Sequence, residues 1–284
     1  MAGTRIVTDS TSCLPPELVE EYGITVVPVG LVIDGKLHRD CIDITLEEMC
    51  RRIVTMDQQP TTSAVSPGEF VTAFNHLAES ADGVVCILVS RALTATQESA
   101  YLARRMVRSQ HPGLDIRVID SRTSAGALGF IVLEAARAAA AGRPLEEVVA
   151  VTRDMVSRVY YLAALDTLRY LINTGRAPRS GGVGEMLGVK PVIGFVDDTG
   201  MTEVVARVRG RRRSLARVAE LVGRYVDGGQ PIHLMVHYSD GSDDAEELAA
   251  LVGERYPCVE RYLTPYSPVM VGATGPMVGI SFYQ

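Results

Sequence analysis

The sequence predicts an α/β fold in two domains: an N-terminal, mostly parallel sheet flanked by helices over 1–155, and a C-terminal α+β domain with a mixed or antiparallel sheet over 156–284. Three observations lead there. Short apolar runs at 5–9, 83–89 and 116–119 alternate with helix-like segments, the pattern of βα units that assemble into a parallel sheet. The turns after these runs, Asp9-Ser10-Thr11-Ser12, Ser90-Arg91-Ala92-Leu93-Thr94 and Asp120-Ser121-Arg122-Thr123-Ser124, are rich in hydroxyls and in a parallel sheet lie along one edge, where ligands bind. Residues 192–196 and 202–208, joined by Asp197-Asp198-Thr199-Gly200, read as a hairpin, which a parallel sheet does not contain.

Taken in order, residues 5–9 form a first strand and 15–22 a short helix stopped by Gly23. Residues 24–32 read as a second strand, followed by a turn at Asp34-Gly35 and by a helix over 45–56 with Thr45 as N-cap and Glu48 at capping-box spacing. Pro60-Thr61-Thr62-Ser63-Ala64-Val65-Ser66-Pro67 reads as a stiff loop, with Ser66 capping a helix over 68–78. A strand at 83–89 runs into the Ser90 to Thr94 turn and a helix reaching about 108, and the strand at 116–119 follows. Residues 125–141 read as a buried helix, because Glu134 and Arg137 interrupt them short of the roughly 20 apolar residues a membrane span needs. After Gly142-Arg143-Pro144 come a helix over 145–158, an apolar run at 159–164, a segment at 167–173 closing on Thr174-Gly175-Arg176, and the hairpin. Helices over 213–225 and 242–256 then alternate with strands at 232–236, 259–263 and 278–282, with no repeat period.

With 47% hydrophobic and 22% charged residues over 284 positions, the chain can bury a sizeable core. A net charge of -6 opposes a general nucleic-acid binder. The first nine residues lack the apolar core of a signal peptide, and Cys13, Cys41, Cys50, Cys86 and Cys258 form no C-x-x-C pair; both features suit a reduced, cytoplasmic setting. Cys86, inside an apolar run, reads as a small core residue.

The phosphate-binding G-x-x-x-x-G-K-[ST] loop, the H-E-x-x-H helix and the G-x-S-x-G elbow are absent, and Gly182-Val183-Gly184 does not follow an apolar strand as a dinucleotide loop requires. His233 and His237 share a strand face but stand roughly 13 Å apart, too far to ligate one metal ion. Asp240, Asp243 and Asp244 read as a turn capping the next helix, so neither a metal nor a cofactor is expected.

What remains is a candidate anion site. Thr61, Thr62 and Ser63 offer three consecutive hydroxyls, and Thr94 and Thr96 stand where a strand turns into a helix whose first N–H groups and dipole favour a negative charge. Taken singly, each stretch reads equally as a turn or a cap. Two arginine groups, Arg207, Arg209, Arg211, Arg212 and Arg213, and Arg169, Arg176 and Arg179, read either as solvated surface or as a phosphate or acidic-partner surface.

Asp9-Ser10-Thr11, Pro60-Thr61-Thr62-Ser63, Leu93-Thr94-Ala95-Thr96-Gln97-Glu98-Ser99-Ala100, Val118-Ile119-Asp120-Ser121, Leu168-Arg169-Tyr170-Leu171 and Val189-Lys190-Pro191 occur in the order seen in the DegV family of bacterial fatty-acid-binding proteins, which the chain resembles over nearly its whole length. The resemblance implies a long-chain fatty acid held in a tunnel between the domains, and places its carboxylate at Thr62 and Thr94. It also implies a partner fatty acid kinase to which such a carrier presents the carboxylate. The chain departs from the family's pattern in three places. Ala64 and Val65 stand near its Gln and Pro, Thr94-Ala95 replaces a Ser-Gly turn, and Ala273 in Val271-Gly272-Ala273-Thr274-Gly275-Pro276-Met277 takes the place of a histidine associated with presenting the acyl group. Burying about 12 methylenes at about 0.8 kcal/mol each is worth roughly 10 kcal/mol before ordering costs, so in such a site the tail supplies affinity and the hydroxyls set orientation.

Two other readings compete. One is an enzyme acting on a phosphorylated or carboxylated small molecule, with the Arg207 to Arg213 cluster as clamp and Asp9 or Asp120 as base. The other is a regulatory protein whose arginines dock an acidic partner.

Overall fold

The computed structural model describes residues 3–176, 188–195 and 198–284. Arg179, the Gly182-Val183-Gly184 run, and Val196 and Asp197 of the expected hairpin lie outside the described residues.

The N-terminal part comprises β1 (Gly3–Asp9), α1 (Pro16–Glu21), β2 (Thr25–Val27), β3 (Gly30–Ile33), β4 (Lys36–Arg39), α2 (Leu46–Ile53), β5 (Thr61–Ser63), α3 (Pro67–Ala78), β6 (Ala81–Leu88), α4 (Thr96–Arg108), β7 (Asp115–Asp120), α5 (Ala125–Ala140) and α6 (Leu145–Val156). There follow β8 (Tyr160–Leu165), α7 (Arg169–Asn173), β9 (Val189–Phe195), β10 (Glu203–Arg209), α8 (Arg211–Val222), β11 (Ile232–Tyr238), α9 (Asp243–Gly253), β12 (Cys258–Pro265), α10 (Pro268–Thr274) and β13 (Met277–Tyr283).

Strands β2, β1, β6 and β7 form a parallel sheet in that order. Successive strand residues face opposite ways, so the complete burial of Val84, Val85, Cys86, Ile87 and Leu88 means that both faces of β6 are covered. Helices α3 and α4 pack together on β6 and its neighbours, and α5 and α6 do the same against β1 and β6. The carboxyl ends of β1, β6 and β7 meet as the spacing predicts: the Val89 N–H donates to Asp9 Oδ2 at 2.8 Å and the Ser90 N–H to the Thr123 carbonyl at 2.9 Å.

The second sheet has six strands in the order β10-β9-β8-β13-β11-β12, antiparallel except for β11 against β12. Alternation along β8 divides two cores. Leu162 and Ala164 join the cluster under α8 and α9, whereas Tyr161, Ala163 and Leu165 join the core that also contains the parallel sheet and α5.

Three elements differ from the sequence expectation. The 24–32 run is two strands in two sheets, because Pro28 has no N–H to give a ladder: β2 stays with β1, and β3 pairs antiparallel with β4 and β5 in a small third sheet. Residues 61–63 are therefore strand β5 and not a loop; Thr62 lies opposite Leu31. Helix α10 was not expected from the pattern; Pro268 opens it. The buried Asp40 carboxylate fastens its start, accepting from the Val269 N–H at 2.8 Å and the Ser10 hydroxyl at 2.6 Å. Gly272 lets α10 lie close against β3, since a Cβ there would sit 2.8 Å from Leu31 Cδ1.

Candidate functional site

A cavity of about 720 Å³, open solvent at its mouth included, lies where β5, the carboxyl edge of the parallel sheet, α10 and the inner face of the six-stranded sheet converge. Its apolar wall includes Val29, Val89, Leu93, Tyr161, Leu171, Ile193, Phe195, Val269 and Met270. Hydroxyls come from Thr11, Thr62, Thr94, Thr96, Ser124, Thr202 and Thr274, and Arg176 supplies a guanidinium. Ala273 is also on the wall.

The structure separates the three consecutive hydroxyls. On a strand neighbouring side chains point to opposite faces, so Thr62 reaches the cavity while Thr61 is exposed and Ser63 turns its hydroxyl toward the Ala64 carbonyl. Of the stretch, only Thr62 stands on the wall. Thr94 stands there too, with its Oγ1 3.0 Å from Thr96 Oγ1 and accepting from the Thr96 N–H at 3.3 Å. Helix α4 begins at Thr96, and Ala95 at its N-cap contributes no side-chain hydrogen bond.

Arg176 is where the sequence reading needs the largest revision. It belongs to no surface patch: the half-buried side chain turns into the cavity, where Nη2 donates to Thr62 Oγ1 at 2.7 Å and Nε to the Leu93 carbonyl at 3.1 Å. Both partners are neutral, and among the described residues no carboxylate pairs with it. Burial lowers its pKa from the usual arginine range, the mark of a cation held away from water without a counter-charge. Nothing in the sequence around Thr174-Gly175-Arg176 marks it as inward-facing; the short helix α7 and the turn at Gly175 aim it.

Of the two arginine groups, the other described members are not on the cavity wall. Arg169 is exposed over the Tyr170 ring, 5.0 Å from its centroid. Arg207 and Arg209 are exposed on β10, an edge strand. Arg211 and Arg212 are engaged by α9, through Asp244 at 2.6 Å and Glu247 at 3.3 Å.

Neither carboxylate considered as a base faces the cavity. Asp9 is fully buried and braces its turn, accepting from the Thr11 N–H at 3.0 Å, the Thr11 hydroxyl at 2.5 Å and the Val89 N–H; burial raises its pKa and these bonds oppose the rise. Asp120 accepts from the Arg91 and Arg122 N–H groups at 3.2 and 3.0 Å. Both are structural braces of the hydroxyl-rich edge.

The two histidines serve packing. His237 is fully buried, its Nε2 accepts from the Gly126 N–H at 3.0 Å, and burial pushes its pKa down to about 3. His233 pairs with Glu260 at 2.7 Å and stacks on Tyr283. Among the described residues no group of three or more His, Cys, Asp or Glu is placed to hold a metal ion, and no helix is long and apolar enough to cross a membrane. Cys86 is a fully buried core residue of β6.

Fold and site together define a three-sheet α/β protein with a largely apolar pocket, one part of which concentrates hydroxyls and a cation that no carboxylate pairs among the described residues. The profile of the DegV family, described as uncharacterised proteins, matches residues 3–284, and the chain belongs to that family. A DegV domain-containing protein of Caldanaerobacter subterraneus is 37% identical over 216 residues, covering 76% of this chain and 75% of the relative. One from Mycobacterium tuberculosis is 34% identical over 278 residues, covering 97% and 92%. Among solved structures, a DegV family protein from Thermus thermophilus, described by its fatty acid binding, superposes with a TM-score of 0.89 at 27% identity over 99% of both chains. DegV of Bacillus subtilis, described as a fatty acid binding protein, gives 0.86 at 26% identity over 100% of both.

Proposed function

We propose that this protein binds a long-chain fatty acid in the cavity between its N-terminal domain (1–155) and C-terminal domain (156–284). The carboxylate sits against Thr62, Thr94 and Arg176, and the acyl chain runs along the apolar wall. The observation that carries the reading is Arg176: a half-buried guanidinium with only neutral partners, on the wall of an otherwise largely apolar cavity, calls for a carboxylate from a ligand. The fatty acid binding described for the Thermus and Bacillus relatives supports the same ligand class.

The protein acts as a carrier rather than a catalyst and needs no cofactor: the hydroxyls and guanidinium of the site bind and orient, and Asp9, which accepts from the wall hydroxyl of Thr11, is taken up in bracing its own turn. Its setting is cytoplasmic. Native mass spectrometry of gently purified protein tests the reading: a co-purified species of fatty-acid mass is the expected result. A bare protein that also fails to take up palmitate after delipidation overturns it.

The finer part of the proposal is a partner fatty acid kinase that docks on the exposed arginines Arg169, Arg207 and Arg209. Ala273, on the cavity wall at the carboxyl end of α10, can neither hydrogen-bond a head group nor neutralise developing acyl-phosphate charge. The protein is therefore a poor donor to a kinase that serves histidine-containing relatives, and Ala273→His raises acyl-phosphate formation more than it raises affinity. Efficient phosphorylation of the unaltered carrier refutes that role for the position.

A further inference from the structure

Two hydroxyls on the cavity wall share a single hydrogen bond, and its direction decides what a ligand meets. Thr94 is half-buried in the turn after β6, and Thr96, fully buried, opens α4. Their Oγ1 atoms stand 3.0 Å apart, and the distance alone lets either one donate. Thr94 Oγ1 also accepts from the Thr96 N–H at 3.3 Å, a role left to it because Ala95, at the N-cap, contributes no side-chain bond. Among the described residues, Thr94 Oγ1 is the one hydrogen-bond partner of the Thr96 hydroxyl.

A hydroxyl has one proton and two lone pairs, so the pair has two arrangements. If Thr94 donates, the Thr96 proton has no acceptor and burial denies it water; an unpaired buried donor costs as much as or more than a hydrogen bond contributes. If Thr96 donates, its hydroxyl is satisfied. The lone pairs of Thr94 are then taken by the Thr96 N–H and the Thr96 hydroxyl, and the Thr94 proton is turned away from α4. Thr62 is held in the same way by a different group. A guanidinium can only donate, so Thr62 Oγ1 accepts from Arg176 Nη2 and keeps its own proton for another partner.

We propose that Thr96 is a positioning residue of the head-group site: it does not touch the ligand, but by donating to Thr94 it makes the Thr94 hydroxyl a fixed donor to the carboxylate. A carboxylate accepts and cannot donate, so it requires this arrangement and no other. The direction of the bond is set before the ligand arrives, which spares the site the cost of ordering a free rotor on binding. The inference rests on the fatty-acid reading above and gives the part played there by Thr94 a structural cause.

The test is calorimetric titration of delipidated protein with palmitate, for the wild type, Thr96→Val, Thr96→Ser, Thr94→Val and the double variant, with thermal melts verifying that each is folded. Thr96→Val should weaken binding about fivefold or more, Thr96→Ser should bind within about twofold of the wild type, and Thr96→Val should have no further effect once Thr94 is valine. A residue that only packs against the start of α4 would weaken binding equally in both backgrounds. That outcome, unchanged affinity in Thr96→Val, or a serine variant as weak as the valine one overturns the proposal while the fatty-acid reading stands. Failure of the wild type to bind palmitate removes both.

Discussion

Replacing Arg176 by methionine separates binding from folding more cleanly than any other single change. The guanidinium donates to Thr62 Oγ1 and the Leu93 carbonyl, so the variant loses two hydrogen bonds but also relieves a half-buried cation of its desolvation cost. These effects oppose each other, and the ligand-free protein should change by no more than about 1 kcal/mol. With a fatty acid bound, the same change removes the counter-charge of a partly buried carboxylate, at about 3 kcal/mol, which is roughly a hundredfold in Kd. The two consequences can be read in one assay. At palmitate one hundred times the wild-type Kd, ligand stabilises the wild type by about 2.7 kcal/mol, and at the same concentration it stabilises a hundredfold weaker variant by only about 0.4 kcal/mol. Thermal melts with and without palmitate, backed by calorimetric Kd values, should show an unchanged apo midpoint and a lost ligand shift. Palmitate bound equally well by both proteins, or a variant that melts far earlier when empty, would make Arg176 a structural strut and refute the argument.

Thr62→Val should weaken palmitate binding by about tenfold or more with little loss of fold, whereas Thr61→Val on the opposite face of β5 should leave it unchanged; equal effects on titration would contradict the strand geometry. Gly126→Ala should destabilise by about 1–3 kcal/mol in urea melts, because its Cβ would stand 2.2 Å from His237 Nε2 and 2.7 Å from Met235 Sδ, while Gly113→Ala, with open space around it, should not. The acid limb of stability should depend on Glu260: burial by itself raises its pKa, but hydrogen bonds from Arg137, Tyr262 and His233 overcome that and hold it at about 2. A depressed carboxylate pKa contributes stability above its unfolded value that is lost as pH falls from about 4.5 toward 2, so Glu260→Gln should flatten that part of the stability–pH curve; an unaltered slope counts against the assignment.

The order of elements was legible because it rests on local chemistry. Thr45 and Ser66 cap α2 and α3 through their own hydroxyls, and Ser66 with Glu69 closes a capping box. The apolar run from Val84 to Leu88 reads as a strand and is one, and the hydroxyl-rich turns share an edge because β1, β6 and β7 run parallel. Thr61, Thr62, Ser63 and Thr94 were candidates by the same reasoning, since hydroxyls beside a helix start and after a strand suit an anion, and the choice of Thr62 and Thr94 came from the family resemblance.

Only the tertiary structure decided which hydroxyl of 61–63 faces inward, because strand pairing with β3, and not composition, fixes the phase of alternation. It alone gave α10 a place, through Asp40 on the Val269 N–H across a long stretch of chain, and turned Arg176 from an apparent surface charge into the cation of the cavity. Sequence records what each residue can bond locally; which groups end up facing one another across a cavity, and which are left unpaired there, follows from the packing of segments far apart in the chain.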